Sequence, residues 1–265
     1  MKAHLLIRPQ PWYRREAFAA GLARAGHDVR DERPRVVNEN TLLVIWNRYG
    51  ANHALATQVE QAGGQVIVAE NGYLGRCGTT PKWDVYPKGP AGFHYYALAR
   101  SGHNGSGFWF TGDTDHRWRA LSIDLRPWRA PESPATVLIL PSRQFGRPDM
   151  VQPDGWLQRT ISAWSAAGWK VKTREHPGNG LPARPLQDDL AGVGHVHIWA
   201  SSAGLHALIA GIPVTWDAPF WIGAGMREEA MRRLSWAQWT VDEIASGEPF
   251  DILCGLSTPA DTSIA

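Results

Sequence analysis

Short apolar runs alternate with stretches of helical spacing along most of the chain. Residues 3–7 are apolar, and residues 12–25 place Phe18, Leu22 and Ala25 on one helical face before Gly26 ends the run. Residues 41–46 read as a buried strand, 54–62 as a helix stopped by Gly63 and Gly64, and 65–69 as another buried strand. Strands rich in β-branched residues, separated by helices, predict a parallel sheet covered by helices. From residue 71 to 129 the pattern loosens into Gly, aromatic and polar residues, a long irregular excursion of the kind that often carries function.

The Pro-rich polar stretch 129–134 marks a boundary, and the alternation restarts beyond it. Strands are predicted over 136–140, 170–174, 195–200 and 212–216, and helices over 155–167, 187–191 and 201–210. The expected fold class is therefore α/β, with two Rossmann-like lobes and a cleft between them. Residues 1–129 form the first lobe and 134–254 the second, and the small polar tail 255–265 frays. No internal repeat is visible.

Composition narrows the function classes. At 43% hydrophobic and 20% charged over 265 residues, the chain has the balance of a globular protein. No apolar run approaches the roughly 18 residues that cross a bilayer, and the N-terminal apolar run is too short for a signal peptide. Cys77 and Cys254 define neither a disulfide framework nor a metal-ligand spacing, so a cytoplasmic location is expected. A net charge of +2 argues against a bulk polyanion binder while leaving room for a local basic patch. Fourteen tryptophans are far more than usual, and Trp offers flat faces to sugars and bases.

The candidate chemistry sits at predicted strand ends. The run from His195 to Val214 is a strand, a Ser201-Ser202-Ala203-Gly204 turn and a helix, and a helix start offers unpaired N–H groups to a phosphate. The strand before it ends in Arg174-Glu175-His176, and the strand over 136–140 ends in Pro141-Ser142-Arg143. The strand over 212–216 delivers Asp217, an acid able to reach a ribose or sugar hydroxyl. Ligands of open α/β sheets lie outside the carboxyl ends of the strands, so these groups are expected to converge there.

Arg174-x-His176-Pro177, Trp199-Ala-Ser201-Ser202-Ala-Gly204, Gly211-Ile-Pro213-Val214 and Ala218-Pro219-Phe220 together resemble the capsular-polysaccharide-synthesis glycosyltransferases, the Kdo-transferase-like group. Glu70-Asn71-Gly72-Tyr73 resembles, more faintly, that group's acidic-x-Gly-aromatic segment. The resemblance covers about half of the chain in pieces, and its strand–Ser-Ser-x-Gly–helix–Gly-x-Pro-Val run is shared with other GT-B enzymes and nucleotide-sugar 2-epimerases. It implies the GT-B architecture, with an activated sugar in the C-terminal lobe. The departures are the chain's shortness, Gly75-Arg76 where the group continues with Arg-Ser, and a Trp/Gly/His-rich insert. In overall style the chain also resembles phage-encoded transferases that decorate hydroxymethylated bases in viral DNA.

The expected activity is transfer of a sugar from a nucleotide-sugar co-substrate to a hydroxyl, without metal or other cofactor. Ser142, Arg143, Arg174, His176, Ser201, Ser202, Gly204 and Asp217 bind the donor. Glu70, at a strand end, or His103, in a Gly-rich loop, takes the acceptor proton. Trp46, Arg48, Trp109 and Trp118 form the acceptor surface. A 5-hydroxymethylated pyrimidine in phage DNA is the acceptor favoured by a narrow margin, with a capsular or lipopolysaccharide glycan next. A nucleotide-sugar epimerase and a non-catalytic nucleic-acid-binding protein are the rival readings. Asp113-Thr114-Asp115 lacks the strand a metal-binding Asp-x-Asp needs, and His195 and His197, on one strand face, could ligate a metal but read rather as a buried or hydrogen-bonded pair.

Overall fold

The computed structural model describes residues 1–8, 12–74, 95–103, 106–130, 135–142, 148–176 and 185–256. The first half runs β1 (Lys2–Leu6), α1 (Trp12–Arg24), β2 (Asp28–Arg30), β3 (Thr41–Trp46), α2 (Ala51–Gln61), β4 (Gln65–Asn71), β5 (Tyr95–Arg100) and α3 (His116–Ala120). The second runs β6 (Thr136–Leu140), α4 (Trp156–Ala166), β7 (Lys170–Thr173), α5 (Leu186–Leu190), β8 (His195–Ile198), α6 (Ala203–Ile209), β9 (Val214–Trp216), α7 (Arg227–Ser235), β10 (Gln238–Thr240), α8 (Val241–Ser246) and α9 (Glu248–Gly255).

Two sheets result. The first has the order β10-β5-β4-β3-β1-β2 and the second β7-β6-β8-β9. All pairs in the second sheet, and those among β1 to β4, are parallel, as the crossover helices require. β5 and β10 depart from the expected all-parallel pattern, since each runs antiparallel to its neighbour. β5 lies in the stretch expected to be irregular; all six of its residues are buried, so it shows no alternation to read.

The C-terminal segment does not stay with the second sheet. β10 pairs with β5, matching Gln238 to Ala97 and Thr240 to Tyr95, and α8 and α9 then pack on α1. Thr240 starts α8 with a reciprocal cap: its hydroxyl accepts from the Glu243 N–H, and the Glu243 side chain accepts from the Thr240 N–H. Arg117 ties Glu243 back to the 106–130 segment through a 2.9 Å ion pair.

The core follows the sheet faces. Phe18, Leu22, Tyr96, Trp239 and Phe250 fill one face of the first sheet, and Leu43, Ile45, Val59 and Val66 the other. A further cluster draws Tyr73, Leu74 and Tyr95 together with Leu138, Val196, Ile198, Leu205 and Leu234, so the two sheets share apolar contacts. Each fully buried large aliphatic side chain there contributes about 1.5–3 kcal/mol relative to exposure. No helix among the described residues is long and apolar enough to cross a membrane.

Candidate functional site

Strand register brings the predicted donor-side groups to one edge. Leu140 faces Ile198, Ile198 faces Trp216, and Ile139 faces Thr173, so β6, β7, β8 and β9 end level. Ser142, Arg174 to His176, Ser201 and Ser202, and Asp217 therefore emerge along the same carboxyl edge. The Ser142 hydroxyl accepts from the Ala200 N–H at 3.3 Å, and its own N–H donates to Gln152 Oε1 at 2.8 Å, which laces the ends of β6 and β8 together. Arg143 lies outside the described residues.

Several of these side chains are engaged within the protein. Arg174 forms an ion pair with Asp189 of α5 and donates to the Pro185 carbonyl, and both partners of the pair are largely buried. His176 is exposed just past β7. The Ser201 hydroxyl accepts from the Ala203 N–H, while Ser202 is exposed at the start of α6 without a side-chain cap of its own. Gly204 serves packing: a Cβ there would lie 2.7 Å from the Trp221 ring and 2.9 Å from Ile198 Cδ1. It lets α6 close onto β8, which is a different reason for glycine from the approach of a phosphate.

On the α4 face of this sheet lies a cluster that the sequence shows only as separate residues. His195 and His197, two apart on β8, share a face with Thr215 of β9. The Thr215 hydroxyl lies 2.9 Å from His195 Nε2 and 2.7 Å from His197 Nδ1. The other ring nitrogen of His197, Nε2, lies 3.1 Å from Asp217 Oδ2, to which the Trp156 indole N–H also donates at 2.7 Å. Trp156 stacks on His197 with ring centroids 5.6 Å apart, and Trp164 packs against both imidazoles. The expected hydrogen-bonded histidine pair is present, linked through a threonine. Among the described residues no group of three or more His, Cys, Asp or Glu could hold a metal ion.

Burial, and secondarily the neighbouring His197, pushes the His195 imidazole down to about 4. The unfolded chain therefore binds this proton more readily between that value and the ordinary 6.5. The stabilisation is complete above the ordinary value and is lost as pH falls toward about 4. His195 is partly solvated, so the discounted effect is about 1–2 kcal/mol. Urea denaturation at pH 7 and pH 4.5 should show a loss in the wild type that is smaller by this amount in His195→Gln; equal losses would count against it.

The acceptor-side residues divide differently. Glu70 is half-buried near the end of β4, its carboxylate accepting from the Asn71 N–H at 2.9 Å. His103 follows β5, where the Ser101 N–H donates to the Val66 carbonyl, so it sits by the amino end of β4. Four residues of strand, about 13 Å, separate these two ends. Of these two, only Glu70 lies at the carboxyl edge of the first sheet's parallel strands.

The Arg14 guanidinium stacks 4.1 Å from the Trp46 ring, and Tyr96 meets that ring edge-on. Arg48 is buried, forked onto Glu60 at 2.7 and 2.6 Å and donating to the Ser101 carbonyl. The Trp109 indole donates to the Arg233 carbonyl and packs against two core clusters, and Trp118 packs against one of them. These four side chains hold elements together. The exposed aromatics are instead Tyr49, Phe110, Trp128 and Phe220 among the described residues.

Two sheets built around parallel strands, with helices on their faces and short antiparallel additions at one edge, define a mixed α/β protein. No protein-family model and no curated protein matches the chain. Among solved structures it is similar to KpsC of Thermosulfurimonas dismutans, described as a β-Kdo 2,4-transferase, with a TM-score of 0.55 and 14% identity over 96% of this chain and 97% of that one. A second KpsC structure from that organism, the β-Kdo 2,7-transferase, aligns at a TM-score of 0.49 and 12% identity over 96% and 99%. The first of these likenesses shows a shared fold extending over nearly the whole of both chains.

Proposed function

We propose that the chain is a GT-B-like glycosyltransferase that moves a sugar from a nucleotide-sugar donor to a hydroxyl of a glycan of the capsular-polysaccharide type. The observation that carries this reading is the level ending of β6 to β9, which lines one edge with Ser142, His176, Ser201, Ser202 and Asp217. The full-length likeness of fold to a Kdo transferase supports it. In this reading the two sheets belong to two Rossmann-like lobes, 1–129 and 134–254, the second lending its last strand and helices to the first. Sugar transfer takes place between the lobes.

The donor's phosphate sits at the carboxyl edge of the second sheet, with Arg143, His176 and the hydroxyls of Ser201 and Ser202 meeting its charge. Arg174, paired with Asp189, orders the strand end, and Asp217 takes a hydroxyl of the donor. Glu70 accepts the proton of the acceptor hydroxyl as its oxygen bonds to the anomeric carbon. The anomeric carbon–oxygen bond to phosphate breaks, and the nucleotide leaves with the electron pair, its charge stabilised by donors already in place. No metal or other cofactor enters these steps, and they are assigned to the cytoplasm.

The three tryptophans expected on the acceptor surface, Trp46, Trp109 and Trp118, are packed rather than free to wedge into a base stack, so they do not favour a DNA base over a glycan as acceptor. The test incubates the protein with UDP-, GDP- and CMP-sugars and with capsular oligosaccharides or hydroxymethylated DNA, followed by mass spectrometry. A mass gain of one sugar on the oligosaccharide is expected, and Glu70→Gln should lower its rate about 100-fold or more, within the range for a general base. A gain on DNA alone would move the acceptor. Donor turnover without any acceptor product would indicate an epimerase or hydrolase, and no turnover of any donor would overturn the reading.

A further inference from the structure

Asp217 differs from the other polar groups at the carboxyl edge in being oriented from behind. Both bonds to its carboxylate fall on Oδ2, one from the Trp156 indole N–H and one from His197 Nε2. No described group bonds Oδ1, and the side chain is 45% exposed. His197, by contrast, is only 9% exposed and is held flat against Trp156. A carboxylate fixed through one oxygen and open at the other is a receptor for hydroxyl donors.

One arrangement of protons satisfies every group behind it. An ionised carboxylate only accepts, so His197 Nε2 carries the proton that it donates to Asp217. In the tautomer that donates from Nε2, Nδ1 is an acceptor for the Thr215 hydroxyl proton. The same hydroxyl oxygen then accepts from His195 Nε2–H. The run from His195 through Thr215 and His197 to Asp217 is thus satisfied throughout. The lowered affinity of His195 for a second proton keeps that end neutral.

We propose that Asp217 receives vicinal hydroxyls of the sugar nucleotide through Oδ1, and that Trp156, His197, Thr215 and His195 are positioning residues that aim it. The inference rests on the donor site proposed above and deepens it by assigning the polyol-recognising group and its support. Asp217, Trp156 and the β8–β9 histidine–threonine set come from three separate elements, and the device exists only where α4 covers the sheet. Vicinal hydroxyls occur both on the ribose and on the transferred sugar, and ligand arms separate the two sources.

The test measures binding of UDP, GDP and CMP, their 2′-deoxy forms and the corresponding sugar nucleotides by titration calorimetry, and KM for the sugar nucleotide in the transfer assay. Asp217→Asn and the near-isosteric Thr215→Val should each raise the dissociation constant and KM about tenfold, the scale of one charge-assisted hydrogen bond. Thr215→Ser, which restores the hydroxyl, should return both to within about twofold, a rescue that a role in packing volume alone would not give. Weakening of free nucleotides, absent with the 2′-deoxy forms, assigns the ribose; weakening confined to the sugar nucleotides assigns the sugar. Wild-type binding with no change in any variant would overturn this inference and leave the function reading standing. Absence of wild-type binding to every probe would overturn both. Nitrogen-15 histidine spectra of the unmodified protein give a check independent of variant folding: both rings should carry the proton on Nε2, and an unprotonated His197 Nε2 would remove the donor that aims Asp217.

Discussion

Gly21→Ala should destabilise the protein by about 2–3 kcal/mol, although alanine is the better helix former by about 1 kcal/mol. Gly21 lies inside α1, where α8 crosses closely. A Cβ there would stand 1.9 Å from the Ile244 carbonyl oxygen and 2.8 Å from a ring carbon of Phe250. The first obstacle is backbone, so relief requires α8 to move off α1 rather than a side chain to turn. Propensity and packing predict opposite signs, which makes the measurement decisive. Urea denaturation should show a lower midpoint with an unchanged slope, and a raised midpoint would mean that the two helices do not meet as described.

Arg48→Met should cost about 3 kcal/mol, the scale for breaking a buried ion pair by removing one partner. The guanidinium is 5% exposed and makes both bonds of a fork to Glu60, whose carboxylate is 30% exposed. Without it, the carboxylate and the Ser101 carbonyl lose their donor together. Arg48→Lys should recover less than half of the loss, because an ammonium cannot make the two parallel bonds. A double-mutant cycle with Glu60→Gln, read by denaturation, should give a coupling of about 1–2 kcal/mol. Additive losses would show that Arg48 is free for some other partner, as its place beside a strand end suggests when only the sequence is in view.

The two substitutions mark where sequence reading succeeds and where it stops. β3 and β6 were legible to the residue because each is a short, mostly apolar run between two parallel neighbours, closed by Asn47 and by Pro141 respectively. α4 and α6 were legible from periodicity and the glycines that follow them, although each starts one or two residues later than the spacing suggests. β2 and β10 have three residues each, too few for a period, and exist because a neighbouring strand accepts them. β10 in particular is defined by its partner, whose paired residues lie 141 to 145 positions earlier in the chain.

The candidate site divides in the same way. That Ser142, Arg174, Ser201 and Asp217 follow strands could be read locally, and parallel register then places them on one edge. That Arg174 faces Asp189, that Arg48 turns inward, or that Trp156 donates to Asp217 could not, since each depends on which helix covers which face.

The sequence by itself determined the local alternation of strand and helix, the α/β class and the residues that end the strands, because periodicity and turn chemistry act over a few neighbours. Only the tertiary structure decided that the last strand and helices return to the first sheet, which polar side chains are engaged in ion pairs, and which carboxylate is aimed outward. Those outcomes depend on burial and on hydrogen-bond partners brought together by packing, and no short stretch of chain contains both members of such a pair.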